Sequence, residues 1–292
     1  MHIEVQIVNA FIDGAAGGNP AGVLLDANAL TTAQKLNIAR QVGLSETAFV
    51  SASDTATVKL EFFTPTRQIA HCGHATIAAF SIMRQLGIVG EGRLSKETID
   101  GDRAILVDGE MAFMEQLAPK YQHIAPTSNL ADRIIVSLGL RQARWISGVS
   151  PFVVNTGNSF LLVPLQDERS VAALQPNMAM IESISDELDL IGYYVFSTTT
   201  KVHGRHAGTR MFAPRFGISE EAGTGMAAGP LACFLHDYLN VDGPEILIEQ
   251  GWLMQPPSPS VIKVILELAD SKILRLMVGG GARAVSSLRL EV

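Results

Sequence analysis

Hydrophobic and polar positions alternate through "EVQIVNAF", residues 4–11, the period-2 pattern of a half-buried strand. A turn at "GGNP" leads into a second apolar run, "AGVLL". The period then changes. "TTAQKLNIARQVG" has a threonine in N-cap position, apolar residues at helical spacing and a glycine after its end, which predicts a helix. "ETAFVSA" and "TVKLEFFTP" return to strand character. "GHATIAAFSIMRQLG", residues 73–87, predicts a second helix, with Gly73 at its entrance and Gly87 at its exit. Short strand-like runs and turns follow to about residue 118.

One piece of this pattern occurs twice. "FFTPTRQIAHCGHATIAAF" begins at Phe62 and "MFAPRFGISEEAGTGMAAGPLACF" at Met211, 149 residues on and close to half the chain. Each reads Phe-x-Pro, a short loop, a glycine-bearing turn and a helix of small apolar residues. The spacing predicts an internal duplication, hence two similar α/β lobes. If the lobes pack about a pseudo-twofold axis, both helix entrances aim backbone N–H groups and positive dipole ends at one cleft, an anion site made of backbone.

Composition narrows the classes of partner. The 292 residues suit two domains, and 47% apolar against 17% charged residues describes a chain with a large core. A net charge of −7 without a basic run argues against nucleic acid. No apolar run reaches the roughly 20 residues of a membrane helix, and the N-terminus has no signal-peptide character. Cys72 and Cys233 do not make a disulfide framework. The expectation is a cytoplasmic protein that binds neither nucleic acid nor membrane.

Several residues could carry chemistry. His71, Cys72 and His74, His203 with His206, and Cys233 with His236 resemble metal pairs, but zinc needs three or four convergent ligands and these pairs lie on separate elements. No metal is expected. Cys72 stands at a helix entrance, where the dipole favours a thiolate; the alternative is a small buried hydrophobe. A two-thiol racemase would need a second cysteine in the repeat, and Ala222 is read as the equivalent position. His74 follows Gly73 and is suited to proton transfer near neutral pH. Glu46, in "GLSETAFV", reads as a surface glutamate from that segment alone; in a closed apolar cleft it would have a raised pKa and suit general-base work. Glu220 and Glu221 precede the second helix entrance, where acidic residues also complement a helix dipole. "VGGGAR" lacks the strand, helix and acidic partner of a dinucleotide site.

Taken as an ordered set, "GNPAGVLL", "LSETAFV", "FFTPTRQIAHCGHAT", "RMFAPRFGISEEAGTGMAAGPLACFL", "IEQGWLM" and "GGGARAV" resemble the PhzF-like family, named for a phenazine-biosynthesis isomerase. The resemblance runs from about Val5 to the end. It implies an α+β chain of the diaminopimelate-epimerase fold: two similar lobes, each a curved, mainly antiparallel sheet around a central helix. Residues 1–118 would form the first lobe, with the strand at 280–292 a candidate to complete it, and residues 119–279 the second. It implies a cofactor-free isomerase and a homodimer.

In such proteins the glutamate of the S-E-T motif, here Glu46, moves a proton between carbons, and the histidine of the G-H motif, here His74, assists. Glu221 stands where the family has an aspartate and is expected as a further auxiliary. Asn19, Gly73, Thr224, Gly225 and Met226 are the expected substrate contacts. This chain departs from the family at Glu221, at Met226 in place of a serine, and at "QPPS" in place of G-R-P-S. The expected substrate is a small carboxylate, with no phenazine link inferred. An amino-acid racemase using Cys72, or a binding protein without chemistry, are the alternatives.

Overall fold

The computed structural model describes residues 2–142, 145–146, 148–270 and 272–291. The chain divides into two compact units, Met1–Glu115 with Gly279–Val292, and Gln116–Val278.

In the first unit the opening alternation becomes β1 (His2–Ala10), antiparallel to β2 (Asn19–Leu24), with Ala10 opposite Asn19. The connecting turn requires glycine at position 18: its φ is +91° and a Cβ there would meet the Ala10 carbonyl at 2.8 Å. α1 (Thr32–Val42) starts at a capping box between Thr31 and Gln34 and stops at Gly43 in the left-handed region. It crosses over to β3 (Thr47–Ser51), which lies parallel to β2. β4 (Val58–Phe63) pairs antiparallel with β3, and β5 (Gln68–Ile69) with β4. α2 (Gly73–Gln85) follows, then β6 (Gly92–Thr98) parallel to β4. β7 (Gly101–Asp108) and β8 (Met111–Leu117) extend this as an antiparallel meander. Residues 282–291 pair antiparallel with β1.

The α2 helix is buried on every side, from Gly73 through Met83. That is why its sequence is small and apolar rather than amphipathic. Burying Ile77, Phe80 and Met83 contributes roughly 1.5–3 kcal/mol each.

The second unit contains β9 (Lys120–His123), α3 (Asn129–Ser137), β10 (Phe152–Asn155), β11 (Ser159–Pro164), α4 (Glu168–Ala172), α5 (Met178–Glu187), β12 (Gly192–Ser197), β13 (Ala207–Ala213), β14 (Ile218–Glu221), α6 (Gly225–Leu239), β15 (Glu245–Gln250) and β16 (Ser260–Ala269). The last strand, β17, is Lys272–Glu291. Pairing in the two units follows one scheme. β10–β11 is antiparallel, β11–β12 parallel, β12–β13 and β13–β14 antiparallel, β13–β15 parallel and β15–β16 antiparallel. The same order of senses runs through β1, β2, β3, β4, β5, β6 and β7. The duplication read from Phe-x-Pro is therefore a duplication of topology, with α2 and α6 in equivalent places.

The glycines of "VGGGAR" serve packing. Residue 279 lies where a Cβ would collide with the backbone carbonyl of Ala112 on β8. Among the described residues no helix is long and apolar enough to cross a membrane.

Candidate active site

The four helices α1, α3, α4 and α5 begin with a side chain that accepts from their own first turn: Thr31, Ser128, Asp167 and Asn177. The two buried helices do not. Neither Cys72 at the start of α2 nor Thr224 at the start of α6 makes a side-chain cap. These entrances are where the sequence motifs fall.

At the α2 entrance three groups from two segments meet. Glu46 ends the loop between α1 and β3, and its carbonyl accepts from Gly22 N at 3.0 Å, which ties the loop to β2. Gly22 allows this approach, since a Cβ would meet the Thr47 hydroxyl at 2.8 Å. The Glu46 carboxylate is buried, with Oε2 3.3 Å from His74 Nε2. The other ring nitrogen, Nδ1, is 3.7 Å from Cys72 Sγ. Glu46, Cys72 and His74 are 8%, 5% and 5% exposed, so proton movement among them is shielded from bulk water. Their ligand-type atoms lie within 4.8 Å of one another. Three such groups do converge here, and both imidazole nitrogens face members of the cluster itself. Of the groups read from spacing, Cys72 and His74 join this cluster; His203 with His206 and Cys233 with His236 form none among the described residues. His203 is exposed, His206 Nδ1 accepts from Leu247 N at 3.0 Å, and Cys233 is fully buried while His236 turns to Asp237.

Behind the cluster lies a group that sequence reading passed over. Lys96, on β6, is fully buried. Its Nζ donates to Thr76 Oγ1 at 2.7 Å and sits 5.0 Å from the centre of the Phe62 ring. Thr76 Oγ1 donates in turn to the Cys72 carbonyl at 2.6 Å. Burial pushes Lys96 down from 10.5 to about 7; the charge of Cys72 opposes this and Arg103 adds to it. Burial, with Lys96 and Arg103 nearby, pushes His71 down from 6.5 to about 3 and keeps it neutral at ordinary pH. The available signal was parity: in "GRLSKET" Lys96 shares the inward phase of β6 with Thr98.

At the α6 entrance, Glu220 and Glu221 take opposite faces of β14 and have different roles. Glu220 forms a bidentate pair with Arg210, both contacts 2.8 Å, and Arg210 stacks on Phe212. Glu221 Oε2 accepts from the Thr224 hydroxyl. Gln250, 1% exposed, holds the turn. Its Oε1 accepts from Tyr194 OH (2.9 Å) and Thr224 N (3.1 Å), and its Nε2 donates to Glu221 O (2.7 Å) and Thr224 Oγ1 (3.1 Å). Gln116 donates to the Gly225 carbonyl at 3.0 Å and accepts from Thr156. Gln250 lies within the quoted "IEQGWLM" motif; nothing in the sequence singled out Gln116.

Strand register corrects one equivalence. Phe62 is opposite Ile69 and Met211 opposite Glu221, and in each copy the helix starts four residues later, at Gly73 and Gly225. Cys72 therefore corresponds to Thr224, not to Ala222, and His74 to Met226. The second copy reads G-T-G, and alignment on its first glycine misplaced the pair by two residues. Thr224 is no thiol, so the absence of a two-cysteine pair at equivalent positions stands. Of the residues expected to act, Glu46, Gly73 and His74 come together in the first unit, where Asn19 is buried at the start of β2; Glu221, Thr224, Gly225 and Met226 come together in the second.

A family model described as "Phenazine biosynthesis-like protein" (PhzC-PhzF) matches residues 8–287. The "Uncharacterized isomerase YddE" of Escherichia coli (strain K12) is 30% identical over 288 residues, 97% of this chain and 96% of that protein. The "Trans-2,3-dihydro-3-hydroxyanthranilate isomerase" of Pseudomonas aeruginosa is 27% identical over 298 residues, 99% of both. The crystal structure of a phenazine biosynthesis protein of the PhzF family from Bacillus anthracis superposes with a TM-score of 0.90 at 26% identity, covering 100% of both chains.

Proposed function

The chain belongs to the PhzC-PhzF family of phenazine biosynthesis-like proteins, an isomerase family, and from that premise we propose that it shifts a proton between two carbons of a small carboxylate-bearing metabolite without a cofactor. The observation that carries this reading is the buried Glu46 carboxylate, 3.3 Å from His74 Nε2 at the entrance of a buried helix without a side-chain cap. Glu46 takes a proton from an acidic C–H. The C–H electron pair delocalises over an adjacent double bond, and Glu46 returns the proton at the far carbon. Atoms and charge balance, and no oxidant or reductant is needed. His74 orients and stabilises the carboxylate as it gains and loses the proton. The uncapped N–H groups near Gly73 suit the substrate carboxylate, with Asn19 as a further contact. Glu221, Thr224, Gly225 and Met226 are proposed as auxiliary acid and substrate contacts. The assembly is proposed to be a homodimer, by family likeness.

The Pseudomonas aeruginosa relative supplies one candidate substrate, trans-2,3-dihydro-3-hydroxyanthranilate. Met226 bears on that choice. Methionine donates no hydrogen bond and is larger than the serine expected there, which favours a substrate with an apolar group at that position. The test is incubation of the full protein in D₂O with this compound and a panel of small unsaturated carboxylates, followed by NMR. An isomerised product, or carbon-bound deuterium in a recovered carboxylate, supports the reading. Binding without either outcome points to a non-catalytic binding protein.

A further inference from the structure

A buried lysine without a carboxylate partner needs a reason, because an isolated ammonium is costly to remove from water. The groups facing Lys96 come from every side of its environment. Thr76 lies on α2, Phe62 on β4, Arg103 on β7, and His71 and Cys72 on the segment before α2. None of the charged ones is a carboxylate among the described residues; Glu46 meets the cluster at His74, 3.3 Å away, with a carboxylate oxygen also within 4.8 Å of Cys72 Sγ. The single group in this set able to become an anion is the Cys72 thiol. The backbone of Cys72 is also tied to Lys96 by a hydrogen-bonded path: Nζ to the Thr76 hydroxyl, and that hydroxyl to the Cys72 carbonyl.

We propose that Lys96 is a positioning residue whose buried ammonium holds Cys72 as a thiolate against His74, giving the site a second proton carrier. The proposal rests on reading Glu46 and His74 as the proton-transfer pair. In the step it adds, the Cys72 S–H bond breaks, the electron pair stays on sulfur, and His74 Nδ1 takes the proton. The imidazolium then presents Nε2–H to Glu46. In reverse, a proton that Glu46 has taken from substrate can pass through His74 to the thiolate. Glu46 and Cys72 thus stand at opposite nitrogens of one ring, 3.3 and 3.7 Å away. Helix α2 contributes in the same direction, since Cys72 is its N-cap residue. No equivalent is available in the repeat, where Thr224 and Met226 replace Cys72 and His74.

The experiment needs no substrate. Cysteine labelled with ¹³C at Cβ is incorporated into the full protein, and the two signals are followed by NMR against pH. Loss of one signal in Cys72→Ala assigns it. Cys233 is an internal reference: burial pushes its thiol above the ordinary range. Cys72 is expected to titrate below the ordinary thiol value of about 8.5. Lys96→Met should raise its midpoint by about one unit, leaving roughly tenfold less thiolate at neutral pH. A Cys72 midpoint at or above the ordinary value in the parent, or the same midpoint in parent and variant, overturns the proposal. If Lys96→Met fails to fold, Thr76→Val removes the connecting hydroxyl; a midpoint that rises supports the proposal and one that stays overturns it. An ordinary Cys72 thiol leaves the Glu46 reading intact, and absence of isomerase activity leaves this titration readable.

Discussion

Replacing Lys96 by methionine should stabilise the fold, and by an amount that depends on pH. The substitution keeps the length and removes the charge. Burial lowers the lysine from 10.5 to about 7, a difference of about 5 kcal/mol between its two protonation states. The hydrogen bond from Nζ to Thr76 is lost, which removes about 1.5–3 kcal/mol. Thr76 keeps its own bond to the Cys72 carbonyl, so no buried donor is orphaned. The net gain expected at about pH 6 is on the order of 2–3 kcal/mol.

The sign with pH follows from proton binding. Unfolded lysine holds its proton to about 10.4, whereas the folded residue releases it near 7. Between those values the unfolded chain binds more protons, so the parent becomes more stable as pH rises. From about pH 6 to about pH 9 this group alone contributes an increase of about 2–3 kcal/mol. Lys96→Met lacks that increase. The assay is urea unfolding at the two pH values, followed by far-ultraviolet circular dichroism. Parallel pH dependence in parent and variant would refute the reasoning.

Gln250→Leu removes the group that satisfies Tyr194 OH, Thr224 N and Glu221 O; unfolding measurements should show a loss of about 2–5 kcal/mol, and an unchanged midpoint would contradict the role given to Gln250. Met226→Ser restores a hydroxyl at the α6 entrance and should broaden the set of carboxylates that raise the melting temperature, with affinities changed by roughly fivefold for about 1 kcal/mol. Identical ligand profiles would place residue 226 outside the site.

Much of the architecture was legible from period alone. β1, α1 and α2 follow from alternation, a threonine cap and glycine stops, and the Phe-x-Pro repeat disclosed the duplicated topology. The family followed from motifs in order. What sequence left hidden was side-chain placement. Glu46 reads as a surface glutamate until the carbonyl bond to Gly22 N fixes its loop beside β2. Glu220 and Glu221 are indistinguishable as adjacent letters; the pleat of β14 gives one to Arg210 and the other to Thr224. The contact between Cys72 and His74 depends on how the backbone turns into α2, from extended at Cys72 to helical at Gly73. Lys96 was hidden for a different reason: a lysine in a strand is ordinarily exposed, and only the burial of its side chain against Thr76 shows which face of β6 it takes.

The central claim is that Glu46 carries the proton. The most direct measurement is carbon-bound deuterium incorporation in D₂O, for parent and Glu46→Gln, on whichever carboxylate the parent isomerises, with folding of both checked by circular dichroism. Glutamine keeps the shape and cannot accept the proton. The account predicts that the variant folds, still binds the carboxylate, and loses about 10²–10⁴-fold in rate. A folded Glu46→Gln protein that exchanges and isomerises at the parent rate would contradict it.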